Sequence, residues 1–533
     1  MGVEGTDRAP HARRARIARA AAAALLFAIG YAIANRYQIT HNVLYRLAAS
    51  DAESAVRAAL FLGVQAAVLF AALVLLPWRW AALLLALAGG SILVNHGYSG
   101  IIGEPVDGGT LAWMIAETGQ AGNAADEFTA PLLLAGVQVA AALALFAAAR
   151  WLVRRAVALP WGRGIAVGVV LLLVAPSILY RHAEVWPEGA ERNVDGLGWD
   201  LLTAPAPPPR GTPVLAPDPA ARTPRHIVWL IDESVAEAPF ARLIAPKLAA
   251  VPHLDFGVAA AMGHCSAPAQ VALRSGVDVR RVSPATDLRR TPSIWAYAKR
   301  AGYRTMLIDG QTAGAPQNLM LPPERALIDD YREMPGAIDT DLKIADAVNA
   351  RMKGRGRSFT YVVLRGVHFQ YRDHYPAGAI PADSPVALQY DTALTWSKGR
   401  FFERLLAGID REAAAIVYTS DHGQNLAPGA LPHCSREAVA DEFRIPLLAF
   451  LPDALAQRYA AARRGGHSAS QIFPATLGWM GYDPAKAAAL YDNDLTQPTA
   501  RYVWFGRTVI PMGSDTKVSV VAGAGFPGTA LPR

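Results

Sequence analysis

Five apolar stretches, near 17–35, 56–76, 80–95, 129–149 and 163–180, are almost free of charge and crowd into the first third of this 533-residue chain. Most approach the roughly 20 residues an α-helix needs to cross a hydrocarbon core about 30 Å thick. Core helices of a soluble domain would not recur so often on such short polar links, so the spacing predicts an α-helical membrane domain of five spans over residues 1–180. The third stretch is the least regular, because Gly89-Gly90 interrupt it and Asn95 and His96 close it. A glycine pair is tolerated in a membrane helix.

The basic residues set the orientation. Arg8, Arg13, Arg14, Arg16 and Arg19 precede the first span, Arg79 separates the second and third, and Arg150, Arg154, Arg155 and Arg163 separate the fourth and fifth. Such segments stay on the cytoplasmic side. The loop from about 97 to 128 carries Glu104, Asp107, Glu117, Asp126 and Glu127 and no Lys or Arg, as the opposite side requires. An odd number of spans from an inside N-terminus puts everything after Tyr180 outside. Cleavage at Ala32-Ile33-Ala34 would leave four spans and the same final placement. The net charge of +7 and pI near 9.4 follow in large part from the cytoplasmic arginines, so they do not indicate a nucleic-acid partner.

Residues 181–224 are rich in Pro, Ala, Gly and Arg and include Ala204-Pro205-Ala206-Pro207-Pro208-Pro209, an extended linker. Beyond it, over 225–533, strand-like runs at 226–231, 304–308, 359–364, 414–419 and 445–450 alternate with helical patterns near 290–301, 340–353, 386–407 and 468–480. That alternation predicts an α/β domain with a mostly parallel central sheet. The two cysteines, Cys265 and Cys434, are too few for a disulfide scaffold, and a single bridge or two free thiols are both open.

Chemistry-bearing residues fall where strands end. The apolar run from Ala415 breaks into Asp421-His422-Gly423, and His226–Ile231 ends in Asp232-Glu233-Ser234. Ligands of open α/β sheets collect at such ends, and Zn²⁺ accepts both oxygen and nitrogen donors. Ser266 reads as the cap of a helix running to about Arg274, where backbone N–H groups and the helix dipole suit a nucleophile that must hold a phosphoryl or sulfuryl group. Taken singly, Asp-His-Gly also reads as a capped turn and Ser266 as an ordinary N-cap.

Together these segments resemble the alkaline phosphatase/sulfatase superfamily, and most closely the inner-membrane phosphoethanolamine transferases that modify lipid A and related envelope glycans. Five spans followed by an exported catalytic domain match that architecture. The resemblance makes Glu233 (in Asp-Glu-Ser, for the family's Gly-Glu-Ser), Asp421 and His422 metal ligands and Ser266 both ligand and nucleophile, and it gives His368, before Tyr375-Pro376, and His433 as substrate-side histidines. Asp232 stands in place of a glycine and resembles the double-acid start of sulfatases, which adds it to the metal set and keeps calcium and manganese as alternatives to zinc. Gln424 replaces a frequent Glu, and Thr392 replaces an Asn after Tyr390-Asp391. Gln270 replaces the arginine of the sulfatase signature, and Ala267 stands where a formylglycine at Cys265 would need proline. The resemblance implies a multi-pass enzyme of the bacterial inner membrane with a periplasmic catalytic domain. It would transfer phosphoethanolamine from a phospholipid, phosphatidylethanolamine foremost, to an envelope lipid or glycan through a phosphoserine. A membrane-anchored sulfatase or phosphodiesterase, or a phosphoglycerol transferase, is the alternative.

Overall fold

The computed structural model describes residues 8–511, apart from 49, 104–105, 107, 117, 119–120, 157–164, 171–187, 204–205, 282–286, 312–317, 435–438, 463 and 506–507. The chain divides into two compact units, residues 1–114 with 128–204, and 115–127 with 205–533.

In the first unit, Arg13–Ala34, Ala52–Leu75, Trp78–Ile102 and Thr129–Ala156 are long and apolar enough to cross a membrane. They coincide with the first four expected spans. The fifth, near 163–180, lies largely outside the described residues, with helix at 165–170. Polar side chains inside this unit serve the backbone of a non-helical segment, as a water-poor setting demands. The Gly189 N–H donates to Gln65 Oε1 at 2.8 Å and the Ala190 N–H to Asn35 Oδ1 at 2.7 Å, while the Ala190 carbonyl accepts from Ser91 Oγ at 2.6 Å. Asn95 Nδ2 donates to the Ser91 carbonyl.

The second unit is built around an eight-stranded sheet. Its strands are β1 (His226–Asp232), β2 (Leu254–Ala260), β3 (Arg304–Asp309), β4 (Asp330–Glu333), β5 (Ser358–Val363), β6 (Ala414–Ser420), β7 (Arg444–Phe450) and β8 (His467–Ser468), in the order β4-β3-β5-β1-β6-β7-β2-β8. The five from β4 to β6 in that order run parallel, and β7 is antiparallel to both neighbours. The expected runs are five of these strands. β2, β4 and β8 escape the apolar pattern for local reasons: Asp255 and Gly257 interrupt β2 at a register shift, β4 is a polar edge strand, and β8 has two residues.

Strand β1 is buried along its whole length. Successive side chains point to opposite faces, so Ile227, Trp229 and Ile231 enter one apolar cluster and Val228 and Leu230 the other. A sheet covered on both faces reads as a continuous apolar run rather than an alternating one. The expected helix over 386–407 is two, Val386–Lys398 and Phe401–Leu406, with the break at Gly399-Arg400.

Lys398, at that break, is fully buried. Its Nζ lies 3.0 Å from Asp232 Oδ1 and 2.5 Å from Asp341 Oδ2. Tyr418 donates to Asp232 Oδ2 at 2.5 Å, and the Asp341 carboxylate also takes the N–H groups of Arg365 and Gly366 at 2.8 and 3.1 Å. Asp232 is thereby corrected from the metal set to this ion-pair network. One cation serves two carboxylates: burial raises Asp232 to about 6 against the pull of Lys398, whereas for Asp341 the lysine outweighs burial and lowers it. Removing one side of a buried pair costs roughly 3–5 kcal/mol. Lys398→Met is expected to lower the Tm of the detergent-solubilised chain, and adding Asp232→Asn to restore part of the fall. Identical melting of Lys398→Met and the native protein would remove the network from the account of stability.

Candidate metal centre and active site

Register decides which residues meet. Asp232 pairs with Ser420 across β1 and β6, and the Asp421 N–H continues the ladder to the Asp232 carbonyl at 3.0 Å. Glu233 and Asp421-His422 therefore leave adjacent parallel strands at the same level, on the carboxyl edge of the sheet where ligands bind. Ligand atoms of Glu233, Asp421 and His422 all lie within 4.8 Å of one another, and all three residues are buried.

Asp421 Oδ1 accepts from the N–H groups of Ser234 and His422 at 3.2 and 2.7 Å. Its Oδ2 is buried and accepts no hydrogen bond. His422 Nδ1 meets the Gly423 carbonyl at 2.8 Å, which assigns the proton to that nitrogen and turns the Nε2 lone pair inward. Nε2 lies 3.3 Å from Glu233 Oε1. Gly423 is required by close approach rather than by a bend, since a Cβ there would sit 2.0 Å from the Asp441 carbonyl. Gly366, at φ +60°, passes so near Glu233 that a Cβ would lie 2.3 Å from its carbonyl oxygen.

Charge is unbalanced in this group. Burial raises Asp421 to about 7, and the neighbouring Glu233 charge adds to it. For Glu233 burial pulls upward, yet the hydrogen bond and charge of His422 hold it well below the ordinary carboxylate range. His422 is pushed up to about 10 by Asp421 and Glu233 against its own burial. Two buried carboxylates and an imidazole whose Nε2 points inward, and which would release its proton when a cation binds, are donors of the kind zinc accepts. The unpartnered Asp421 oxygen fits the same assignment.

Ser266 is the first residue of the helix Ser266–Ser275, and Cys265 occupies the N-cap position that the sequence suggested for the serine. Its hydroxyl is spent instead on the acidic group, 3.1 and 3.3 Å from the two Glu233 oxygens and 3.2 Å from His422 Nε2. His368 and His433 come together beside this centre, with ring centroids 5.4 Å apart, and His433 stacks on His422 at 4.4 Å. Asp232 is the one expected ligand that the geometry turns elsewhere. Tyr390 lies inside its helix, where its hydroxyl bridges the Ser234 carbonyl and the Ala236 N–H at 2.8 and 2.9 Å.

Two neighbours of the centre are not marked in the sequence. Gln311, just past β3, donates to Glu233 Oε2 at 2.8 Å and to the Leu364 carbonyl at 3.0 Å. Glu127 is buried with Oε1 3.3 Å from His433 Nδ1, and it forms a second potential ligand group with His368 and His433. Burial raises Glu127 to about 7, against the opposing charges of His368 and His422. Its loop is legible as acidic, but nothing in that loop separates Glu127 from the other acids.

The family model for sulfatases matches residues 263–482. The integral membrane lipooligosaccharide phosphoethanolamine transferase A from Neisseria meningitidis is 15% identical, with 80% of this chain and 90% of that one aligned at a TM-score of 0.51. The C-terminal periplasmic domain of EcEptC from Escherichia coli is 18% identical over 57% of this chain and 97% of its own, at 0.46, and its zinc complex is 18% identical over 55% and 93%, at 0.45. No curated protein sequence matches the chain. The chain thus shares the fold of that Neisseria meningitidis membrane protein.

Groups that orient a metal ligand typically contribute roughly 10- to 100-fold to affinity. Gln311→Ala in the full chain is expected to weaken zinc binding by that factor in a chelator competition titration. Unaltered affinity would mean that Glu233 is oriented without it.

Proposed function

We propose that this chain is a metal-dependent transferase that moves phosphoethanolamine from a membrane phospholipid to an envelope lipid or glycan, from the periplasmic side of the bacterial inner membrane. The observation that carries this reading is the Ser266 hydroxyl, 3.1 Å from Glu233 Oε2 and 3.2 Å from His422 Nε2 at the head of a helix. A divalent cation, zinc foremost, held by Glu233, Asp421, His422 and Ser266 would supply Lewis-acid chemistry that lowers the hydroxyl pKa and offsets charge on the phosphate oxygens.

Ser266 Oγ attacks the donor phosphorus, the Oγ–P bond forms, and the bond to the diacylglycerol oxygen breaks. Backbone N–H groups of the helix start face the phosphoryl oxygens. In the second half, an acceptor hydroxyl attacks the phosphoserine and the Oγ–P bond breaks. His368 and His433 exchange protons with the leaving and attacking oxygens, a role suited to imidazole near neutral pH. Anchoring by the apolar helices keeps the domain with its lipid donor, which raises the donor's effective concentration.

Glu127 favours ethanolamine over glycerol as the headgroup. Glu127 already meets His433 Nδ1 at 3.3 Å, and the ammonium of phosphoethanolamine would be a second, cationic partner for this buried carboxylate that a glycerol headgroup lacks. The fold shared with the Neisseria meningitidis protein, named a phosphoethanolamine transferase, supports the same donor class. A hydrolytic reading, a membrane-anchored sulfatase or phosphodiesterase with water as acceptor, draws on the sulfatase family match.

Incubation of the purified chain with headgroup-labelled phosphatidylethanolamine is expected to yield a labelled Ser266 peptide by mass spectrometry, absent in Ser266→Ala. Label recovered only in water-soluble hydrolysis product would favour the hydrolytic reading, and no turnover of any ester would end the enzymatic one. Hydrogen bonds to charged groups contribute about 1.5–3 kcal/mol, so Glu127→Gln should reduce kcat/KM for phosphatidylethanolamine roughly 10- to 100-fold. An equal loss with phosphatidylglycerol would refute the headgroup role of Glu127.

A further inference from the structure

Cys265 and Cys434 are joined in a disulfide, so the bond lies one residue before the nucleophile and one residue after His433. The Cys434 N–H also donates to the His264 carbonyl at 3.1 Å, stitching the same two segments through the backbone. The strand-borne acidic group and His433 differ in what supports them. Glu233, Asp421 and His422 follow directly from hydrogen-bonded strands β1 and β6. His433 instead lies on a stretch, 424–434, that has no helix or strand. Within that stretch the Asn425 N–H bonds to the Pro432 carbonyl, a tie internal to the loop. Cys434 takes a left-handed φ of +53°. A non-glycine residue holds that conformation only where its surroundings over-determine it. A covalent link to the start of the nucleophile helix is such a constraint.

We propose that the Cys265–Cys434 bridge is a positioning element of the transfer reaction, holding His433 beside Ser266 while the strand-borne metal ligands stand without it. This rests on the phosphoryl-transfer reading above. The cysteines touch no substrate and act through His433. Opening the bridge leaves Glu233, Asp421, His422 and Ser266 assembled and lets the 424–434 loop carry the imidazole away.

The test is a mutant cycle on the full chain in detergent or bilayers, with labelled phosphatidylethanolamine and a p-nitrophenyl phosphodiester as substrates. A positioned general acid–base group contributes roughly 10²- to 10⁴-fold. Cys265→Ala with Cys434→Ala is expected to lose transfer to about the same degree as His433→Ala, with zinc content unchanged. The triple variant should be no slower than His433→Ala alone, since residues acting as one unit are not additive. Carbethoxylation of His433, mapped by mass spectrometry, should rise when the bridge is absent. A double variant as fast as the native chain, losses that multiply in the triple variant, or loss of zinc would each overturn the proposal.

Should the alanine pair fail to fold, the folded native chain is reduced instead with a water-soluble phosphine. The phosphine becomes its oxide with oxygen from water, and the two sulfurs become thiols. The same change in His433 labelling is expected, and unchanged labelling counts against the proposal. A native chain that turns over neither substrate while His433 labelling still responds to the bridge would sink the functional reading and leave the positioning role intact.

Discussion

The pairing of β1 with β6 is the constraint on which everything else at this site depends. Parallel strands in register deliver Glu233 and Asp421 to one level of the sheet edge, and the apolar layers on both faces exclude the water that would otherwise screen them. Two carboxylates held this close in a dry place cannot both stay ionised without a cation. Asp421, displaced upward to about 7 with one oxygen unpartnered, records that deficit. The proposed metal ion would offset it, and the serine hydroxyl at the start of the adjoining helix lies within 3.3 Å of the same group.

Strand parity explains why Asp232 and Glu233, neighbours in sequence, have different fates. Even-numbered positions of β1 face the cluster that contains Val228, Leu230 and Tyr418, and odd-numbered positions face the cluster of Trp229 and the helix after Ser266. Asp232 continues the first set and meets Lys398; Glu233 continues the second and meets Ser266. The double-acid motif therefore serves two networks back to back. Asp341 connects them, because the carboxylate that pairs with Lys398 also takes the Gly366 N–H, and Gly366 packs against Glu233.

What the residues revealed in advance follows the same physics. The central strands are legible because burial on both faces writes continuous apolar runs, and their ends are legible because Asp-Glu-Ser and Asp-His-Gly break those runs abruptly. The apolar helices are legible for the same reason on a longer scale. The bulged and edge strands carry no such pattern. Gln311 reaches Glu233 only because β3 and β1 flank β5, a long-range pairing that no local window contains. Glu127 depends on residues 115–127 joining the compact unit of residues 205–533, which its acidic neighbours do not signal. The parity of Asp232 was available from the alternation along β1, but a motif read as a unit hides it.

The site is thus supported in two ways that suit two tasks. The proposed metal ligands Glu233, Asp421 and His422 come from strand ends fixed by a ladder of backbone hydrogen bonds. His368 and His433, proposed to face the substrate, come from segments without regular structure, and a loop histidine gains definition only through what it touches. His433 touches His422 through its ring and Glu127 through Nδ1, and Cys434 ties the next residue to the nucleophile helix. Two of those ties, to Glu127 and to Cys265, run to parts of the chain remote in sequence. The His368 and His433 side of the centre therefore rests on side-chain and disulfide ties rather than on a backbone ladder, so substitutions there leave the paired strands that carry Glu233, Asp421 and His422 in place.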